Sequence, residues 1–149
     1  LLLTAFTPAY DFQINAISLV TVQTAVAGGL LKFVIYSNAN GQPNTKLFES
    51  ATVSADTTGN KILTGLSFTF NANETYWFST VANNSIQVRA YDTNQQYPLF
   101  PIIANSNTTQ KHSAYLVNSS FTSLPSTMAP LSSSNFTSSR IPMVTLRKS

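Results

Sequence analysis

The chain has 149 residues and no cysteine, and its eight Lys and Arg against five Asp and Glu give a formal net charge of +3. This length suits one domain with a sizeable core, and the lack of cysteine excludes a disulfide framework and a thiolate metal site. Only 9% of the residues are charged while 43% are hydrophobic, a balance that favours folding over disorder. The polar surface is therefore expected to consist of Ser, Thr, Asn and Gln, which is typical of extracellular and virion-surface β proteins.

The basic residues are too scattered to predict a nucleic-acid partner. Only Arg147 and Lys148 are adjacent, so the chain lacks the basic stripe that would neutralise several phosphates. No apolar run approaches the roughly 20 residues that span a bilayer, and the opening Leu1-Leu2-Leu3 is too short for the apolar region of a signal peptide. The length predicts a single domain, residues 1–149. Because the chain does not begin with Met, we expect this domain to be the C-terminal part of a longer protein.

Short strands separated by turns are the main pattern of the first two thirds of the chain. No window shows helical periodicity, whereas β-branched and aromatic residues alternate with Gly, Asn and Asp clusters. Strands are predicted at 12–22, 30–37, 47–54, 61–70, 75–81 and 86–91. Asn40-Gly41 is a strong turn signal because both residues tolerate positive φ, and Gly65 predicts a bend within its strand.

The clearest alternation lies in residues 30–37. One face of this predicted strand carries Leu31, Phe33 and Ile35, and the other carries Lys32, Val34 and Tyr36. Side chains of successive strand residues point to opposite faces of a sheet, so these two groups are expected to lie on opposite sides of the strand.

The last third of the chain predicts long loops with short strands between them. Residues 92–110 are interrupted by Pro98 and Pro101, which argue against a central strand. Residues 118–139 are rich in Ser, Thr and Pro but carry spaced apolar residues, which indicates an ordered excursion. Short strands are predicted at 113–117 and 141–146, the latter pairing beside an early strand. The fold class predicted is all-β, an antiparallel β-sandwich of jelly-roll-like form with long ordered loops in the C-terminal third.

Catalytic machinery is not indicated by the sequence. The five carboxylates are far apart along the chain, His112 is the only histidine, and no Gly-x-Ser-x-Gly motif occurs. General acid–base or nucleophilic chemistry needs such groups together, and zinc sites take three or more His, Cys or carboxylate ligands. We therefore predict no enzyme activity, no cofactor and no metal site.

The aromatic run Tyr76-Trp77-Phe78 has two interpretations. Trp77 points away from its two neighbours on a strand, so at least one face of the strand belongs to the core. The alternative is a platform for sugar rings, whose apolar faces pack on aromatic rings. We favour the core interpretation.

A second candidate for ligand binding lies where the strands give way to loops. This surface combines aromatic rings with adaptable polar groups, as recognition surfaces do, and its residues are Arg89, Tyr91, Asp92, Gln95, Gln96 and Tyr97. Packing of the loop onto the core by Tyr97 and its apolar neighbours would explain the same residues.

Residues 6–80 resemble a β-sandwich domain of bacteriophage tail-fibre and other virion-surface spike proteins. The matching features are an apolar strand at 14–22, a small-residue turn at 24–28, Phe33-Val34-Ile35-Tyr36-Ser37-Asn38, Asn40-Gly41-Gln42-Pro43 with Leu47-Phe48-Glu49-Ser50, and the run from Phe70 to Phe78 that ends in Tyr-Trp-Phe. The resemblance covers about half of the chain. It implies a domain mounted on a fibre, spike or capsid, often as a homotrimer.

The leading functional hypothesis is thus a virion-surface domain, extracellular in setting, that contacts other virion proteins and attaches to a host-surface ligand such as a glycan. Its mechanism would be multivalent non-covalent recognition. Two alternatives are a capsid-decoration or fibre-assembly domain without a host ligand, and a carbohydrate-binding module of a secreted bacterial protein.

Overall fold

A computed structural model describes residues 2–88, 90–91, 114–116, 120–130, 136–137, 141–142 and 144–148. These residues form strands and loops, with no helix among them. The strands are β1 (Leu2–Phe6), β2 (Phe12–Thr24), β3 (Leu30–Ala39), β4 (Gln42–Glu49), β5 (Val53–Ser54), β6 (Gly59–Phe70), β7 (Tyr76–Ala82), β8 (Gln87–Val88), β9 (Ala90–Tyr91), β10 (Ala114–Leu116), β11 (Phe136–Thr137), β12 (Ile141–Pro142) and β13 (Val144–Lys148).

The described strands form two main antiparallel sheets and one two-stranded ladder. Sheet A has the order β11-β10-β1-β7-β3-β4, with β5 beside β3, and sheet B has the order β13-β2-β6, with β8 beside β2. The ladder pairs β9 with β12. The all-β prediction is confirmed, and the two sheets form a sandwich; its jelly-roll form stays a prediction. The final strand β13 pairs with the early strand β2, as expected from the sequence.

The space between the sheets is filled by one apolar cluster, which we call the inner core. Its buried residues come from both sheets and are Ile14, Ile17, Val22, Leu31, Phe33, Ile35, Ala55, Leu63, Phe70, Tyr76 and Phe78. Leu31, Phe33 and Ile35 all face this core, which confirms that they lie on one side of their strand. Burying this much apolar surface is the main force that holds two sheets together.

A second apolar cluster covers the opposite face of sheet A, and we call it the outer cluster. It contains Leu3, Val34, Tyr36, Trp77 and Val81 from the sheet, together with Leu124 and Met128. The last two belong to residues 120–130, which we call the strap. Sheet A is therefore covered on both faces, and Leu31 to Tyr36 of β3 are all buried.

One predicted strand, 47–54, is wrong in its extent. The chain turns at Asn40-Gly41, where both φ angles are positive, and β4 begins at Gln42. β4 ends at Glu49. The next residue, Ser50, hydrogen-bonds to Phe33 of β3 through both its side chain and its backbone. Phe33 N–H donates to Ser50 Oγ at 2.8 Å, and Ser50 N–H donates to Phe33 O at 2.9 Å. Residues 53–54 resume as the separate strand β5.

The long strand β6 contains an irregularity at Gly65. The register between β6 and β2 shifts between Ile14 and Ala16, and Gly65, on the opposite strand, has a φ of 70°. A left-handed residue of this kind is typical of β-bulges, where glycine avoids a steric penalty. The bend predicted at Gly65 is thus confirmed as a bulge.

Candidate functional site

The surface predicted from Arg89 to Tyr97 lies almost wholly outside the described residues. Of its members only the backbone of Tyr91 is described, in β9 opposite Ile141. Arg89, Asp92, Gln95, Gln96 and Tyr97 lie outside the described residues, as does His112. This surface stays a prediction.

The aromatic run in β7 belongs to the interior, so the core interpretation is confirmed. Tyr76 and Phe78 lie in the inner core, and Trp77 lies in the outer cluster with 3% exposure. The indole Nε1–H of Trp77 donates to Asn38 Oδ1 at 3.0 Å. The alternative interpretation, a sugar-binding platform, is therefore wrong for Trp77, because its ring is buried in the outer cluster.

A different aromatic residue, Tyr10, is presented to solvent at one end of the sandwich. Phe6 of β1 pairs with Tyr76, and Phe12 of β2 pairs with Phe70, so the β1–β2 loop (7–11) lies beside the β6–β7 turn (71–75). We call these two segments the Tyr10 end. At 65%, Tyr10 is the most exposed of the large hydrophobic side chains in the described part of the chain.

The ring of Tyr10 rests on a rigid base of packed aromatic rings. Its centroid is 6.0 Å from that of Phe12, and Phe12 stacks on Phe70 at 5.0 Å. Phe70 in turn makes edge contacts with Phe68 and Tyr76, both at 4.9 Å. Aromatic contacts of this kind are directional, so the exposed ring continues a chain of rings that begins in the inner core.

Hydrogen bonds join the two segments of the Tyr10 end. Ala72 N–H donates to Asp11 Oδ1 at 2.6 Å, and Asn73 N–H donates to Pro8 O at 2.8 Å. The hydroxyls of Thr7 and Thr75 are 2.8 Å apart. Asn73 has a φ of 62°, which Asn tolerates better than most residues. The loops are thus fixed relative to one another as well as to the sheets.

Glu74, the second carboxylate of the Tyr10 end, accepts hydrogen bonds from two side chains. Tyr76 Oη–H donates to Glu74 Oε2 at 2.7 Å, and Asn71 Nδ2 donates to the same oxygen at 3.2 Å. Burial raises the pKa of the Tyr76 phenol above its ordinary value of 10, and the nearby carboxylates of Glu74 and Asp11 add to this rise, whereas the hydrogen bond from the Asn71 backbone opposes it. Tyr76 therefore remains protonated at neutral pH and keeps its role as a donor.

This arrangement suits non-covalent recognition. An exposed ring on a rigid base can pack against the apolar face of a ligand, and the exposed side chains of Asp11, Asn71, Asn73 and Glu74 offer carboxylate and amide groups for hydroxyls. Sequence reasoning missed Tyr10, because one aromatic residue in a loop has no periodicity. The only signal was the sequence Pro-Ala-Tyr-Asp between two apolar segments, which also describes an ordinary turn.

The strap is attached to sheet A by charged and polar groups as well as by apolar contacts. Glu49 Oε1 is 2.5 Å from Lys32 Nζ, and Glu49 Oε2 is 2.7 Å from Lys46 Nζ. The ammonium of Lys32, with its side chain only 7% exposed, lies 4.7 Å from the ring centroid of Phe121 in the strap. This geometry allows a cation–π contact. The buried ammonium of Lys32 therefore interacts with both the Glu49 carboxylate and the Phe121 ring.

The pKa values of Glu49 and Tyr36, which lie under the strap, are shifted by burial and by neighbouring charges. Burial alone would raise the pKa of the Glu49 carboxyl, but hydrogen bonds and charges from Lys32 and Lys46 outweigh it and hold the pKa below its ordinary 4.5. Burial, together with the charge of Glu49, raises the pKa of Tyr36 to about 12. Tyr36 is therefore a hydroxyl donor at neutral pH, and Oη–H donates to Pro125 O at 2.9 Å.

Metal-binding and membrane-spanning features are not found in the described ranges. No three His, Cys, Asp or Glu side chains come together there, and no helix long and apolar enough to cross a membrane occurs among these residues. No protein-family model, curated protein sequence or solved structure matches the chain.

Proposed function

We propose that this chain is a virion-surface attachment domain of the tail-fibre or spike kind, and that it binds a host-surface glycan without catalysing a reaction. The proposal takes its setting from the resemblance of residues 6–80 to such domains. Its mechanism is multivalent binding, because several weak sites on one assembly together bind far more tightly than one site alone.

The exposed ring of Tyr10 is the observation that carries this proposal. A large aromatic side chain 65% exposed on a rigid aromatic base gives contact area at little cost in side-chain entropy. The carboxylate and amide groups of the same two loops are placed to accept and donate hydrogen bonds. Loops on a rigid scaffold are also where binding residues are most often found.

The proposal is tested by replacing Tyr10 and measuring glycan binding. The full chain, displayed on beads to supply several copies, is applied to an array of bacterial and animal surface glycans. We expect Tyr10→Ala to weaken binding by about tenfold or more, the equivalent of about 1.4 kcal/mol. The matched control is Ile62→Ala, a change at another exposed apolar side chain, 42% exposed on β6, which should bind as the wild type does.

Two results would overturn the proposal. If the wild type binds no glycan, attachment through a glycan is wrong. If Tyr10→Ala binds as well as the wild type, the Tyr10 end is not the site, and the predicted surface around Tyr91 and Tyr97 is examined next with Tyr91→Ala and Tyr97→Ala.

An assembly domain without a host ligand is the second candidate. The observation that favours it is the pairing of the strap with the edge of β4, where Thr45 and Thr127 form an antiparallel bridge. A sheet edge that accepts an added strand can accept one from another molecule as well. This candidate predicts a stable oligomer that binds no glycan.

A further inference from the structure

We propose that the Tyr10 end selects sugar units without negative charge, such as hexoses and N-acetylhexosamines, and that Asp11 and Glu74 are the residues that exclude acidic units. Acidic units are those that carry a carboxylate, phosphate or sulfate group. This inference rests on the proposed function and deepens it, because it names the class of glycan that the same site takes.

The first argument is that both carboxylates are held in place. Asp11 Oδ1 accepts a hydrogen bond from Ala72 N–H at 2.6 Å, and Glu74 Oε2 accepts one from the Tyr76 hydroxyl at 2.7 Å. Each bond uses one oxygen of its carboxylate. Turning either group away from a bound ligand would break this bond to a charged acceptor, which costs more than breaking a neutral one.

The remaining oxygens of the same loops are acceptors that a ligand can use. Asp11 Oδ2 and Glu74 Oε1 accept no hydrogen bond from the described part of the chain. The side chain of Asn71 donates through Nδ2 to Glu74 at 3.2 Å, which leaves its Oδ1 as a third acceptor. Because an ionised carboxylate accepts hydrogen bonds and donates none, the site suits a ligand rich in donors, such as sugar hydroxyls and N-acetyl N–H groups.

No cation compensates these charges among the described side chains. Neither carboxylate forms an ion pair there. Lys32 and Lys46 are paired with Glu49, and Lys61 donates to the hydroxyl of Thr57 at 2.8 Å. The Tyr10 end therefore presents two negative charges that repel an acidic ligand.

The strand β13 brings the backbone of one cation towards this end. Lys148 pairs with Ile14 of β2, two residues after Phe12, and its backbone alone is described. A counter-charge at this position would weaken the repulsion, so the experiment includes a variant of Lys148.

Exclusion by charge explains specificity that the aromatic ring cannot supply. Tyr10 offers contact area to neutral and acidic sugar rings alike, so discrimination between them depends on Asp11 and Glu74. A like charge placed against a ligand is a common way to reject it, because the repulsion weakens the unwanted complex without changing the wanted one.

The experiment compares ligands that are matched in shape and differ in charge. The full chain on beads is applied to oligosaccharides that end in a uronate or sialate, to the methyl esters of these acids, which keep the bulk without the charge, and to the neutral parent oligosaccharides. We expect the esters and the neutral parents to bind at least about ten times more strongly than the acids. Raising the salt concentration from about 0.1 M to about 1 M, which shortens the Debye length from about 10 Å to about 3 Å, should reduce this difference.

Substitution of the two carboxylates tests their roles. The double variant Asp11→Asn with Glu74→Gln removes both charges and keeps an acceptor oxygen for each bond within the loops, and it should bring the acids to within about threefold of the esters. The single variants should each give part of this effect. The matched control is Asp56→Asn, an exposed carboxylate beyond the other end of β6, which should keep the full difference, and Lys148→Ala should not reduce it.

Three results would count against the inference, and they are distinguishable. Acids that bind as strongly as their methyl esters overturn it and leave glycan attachment in place. A full difference in the double variant shows that another group excludes acids and overturns the roles of Asp11 and Glu74. Binding to none of the neutral, ester or acid forms overturns the proposed function, and this inference with it.

Discussion

Lys32 shows at the scale of a single residue why β3 can be buried on both faces. An unpaired buried ammonium would be very costly, and pairing with a carboxylate removes most of that cost. Glu49 meets this need for Lys32 and also pairs with Lys46. The same carboxylate thereby stabilises the part of the sheet on which the strap lies, although it does not contact the strap itself in the described hydrogen bonds.

Glu49→Gln is expected to lower the free energy of unfolding by about 3 kcal/mol at pH 7, because it leaves Lys32 buried without its counter-charge. The pKa of Glu49 is lower in the folded state than its ordinary 4.5. Its contribution is therefore fully present above about pH 4.5 and is lost as the pH falls through the lower, folded-state pKa. Urea unfolding of both proteins at pH 7 and pH 3 measures the difference, which should be smaller at pH 3 than at pH 7.

The control for this prediction is Asp56→Asn, which changes an exposed carboxylate and should alter stability by no more than about 0.5 kcal/mol. An equal loss for Glu49→Gln at both pH values would contradict the role assigned to the charge.

Two glycines illustrate, at the scale of the strand and the loop, two different reasons for having no side chain. A Cβ at Gly65 in β6 would meet nothing within 4 Å, but the φ of 70° is strained for other residues. A Cβ at Gly29, before β3, would lie 2.7 Å from Val26 O and 3.2 Å from Ala55 O. The first glycine is required by the bulge and the second by close packing of backbone.

Gly65→Ala should therefore cost about 1–2 kcal/mol, the price of a left-handed conformation, without disturbing the register of β6. Gly29→Ala should cost more, because backbone atoms must move. Thermal unfolding followed by circular dichroism measures both, and Gly65→Asn serves as the control, since Asn tolerates positive φ and should cost less than Ala. Equal losses for Gly65→Ala and Gly65→Asn would contradict this explanation.

Most strands could be predicted from the sequence, because alternation and turn residues are local signals. The strand β1 was missed, since Leu2–Phe6 contains a run of apolar residues without clear alternation, and part of that strand is buried between other strands. The strap was predicted as an ordered excursion, and this is confirmed for residues 120–130. Its binding surface could not be predicted, because Phe121, Leu124 and Met128 follow neither a strand nor a helix period.

The candidate site was harder to predict from the sequence than the fold. Alternation in 30–37 predicted the two faces of β3, but Lys32 gave no sign that its face is covered, because its partners Glu49 and Phe121 are 17 and 89 residues away along the chain. The Tyr10 end depends on two loops that are brought together by the pairing of β1 with β7 and of β2 with β6. Such contacts between distant segments leave no periodic trace in one sequence.

At the scale of the whole molecule, the described residues form a stack of three layers, namely sheet B, sheet A and the strap. The exposed face of sheet B carries uncharged polar side chains, among them Gln13, Asn15, Thr64, Ser67 and Thr69. The described layers thus leave sheet B with one face exposed, whereas sheet A is covered on both faces.

Light scattering after size exclusion should give a mass near three times the 16.2 kDa of one chain if the protein forms the homotrimer that the resemblance of residues 6–80 implies. Deletion of residues 120–130 should expose Trp77, which packs with Leu124 and Met128 in the outer cluster, and a red shift in its fluorescence would report this exposure. A wild-type mass of one chain at every concentration would contradict assembly and favour a module that binds carbohydrate as a monomer.

The complete enclosure of β3 restricts how this protein can vary. Its residues from Leu31 to Tyr36 are buried, and its two edges are occupied by β7 on one side and by β4 and β5 on the other. A substitution there disturbs the inner core, the outer cluster or the ion pairs, so few substitutions in this strand are expected to be tolerated. Variation is consequently expected in the loops of the Tyr10 end and at the exposed positions of the strap, whose side chains do not pack in the outer cluster.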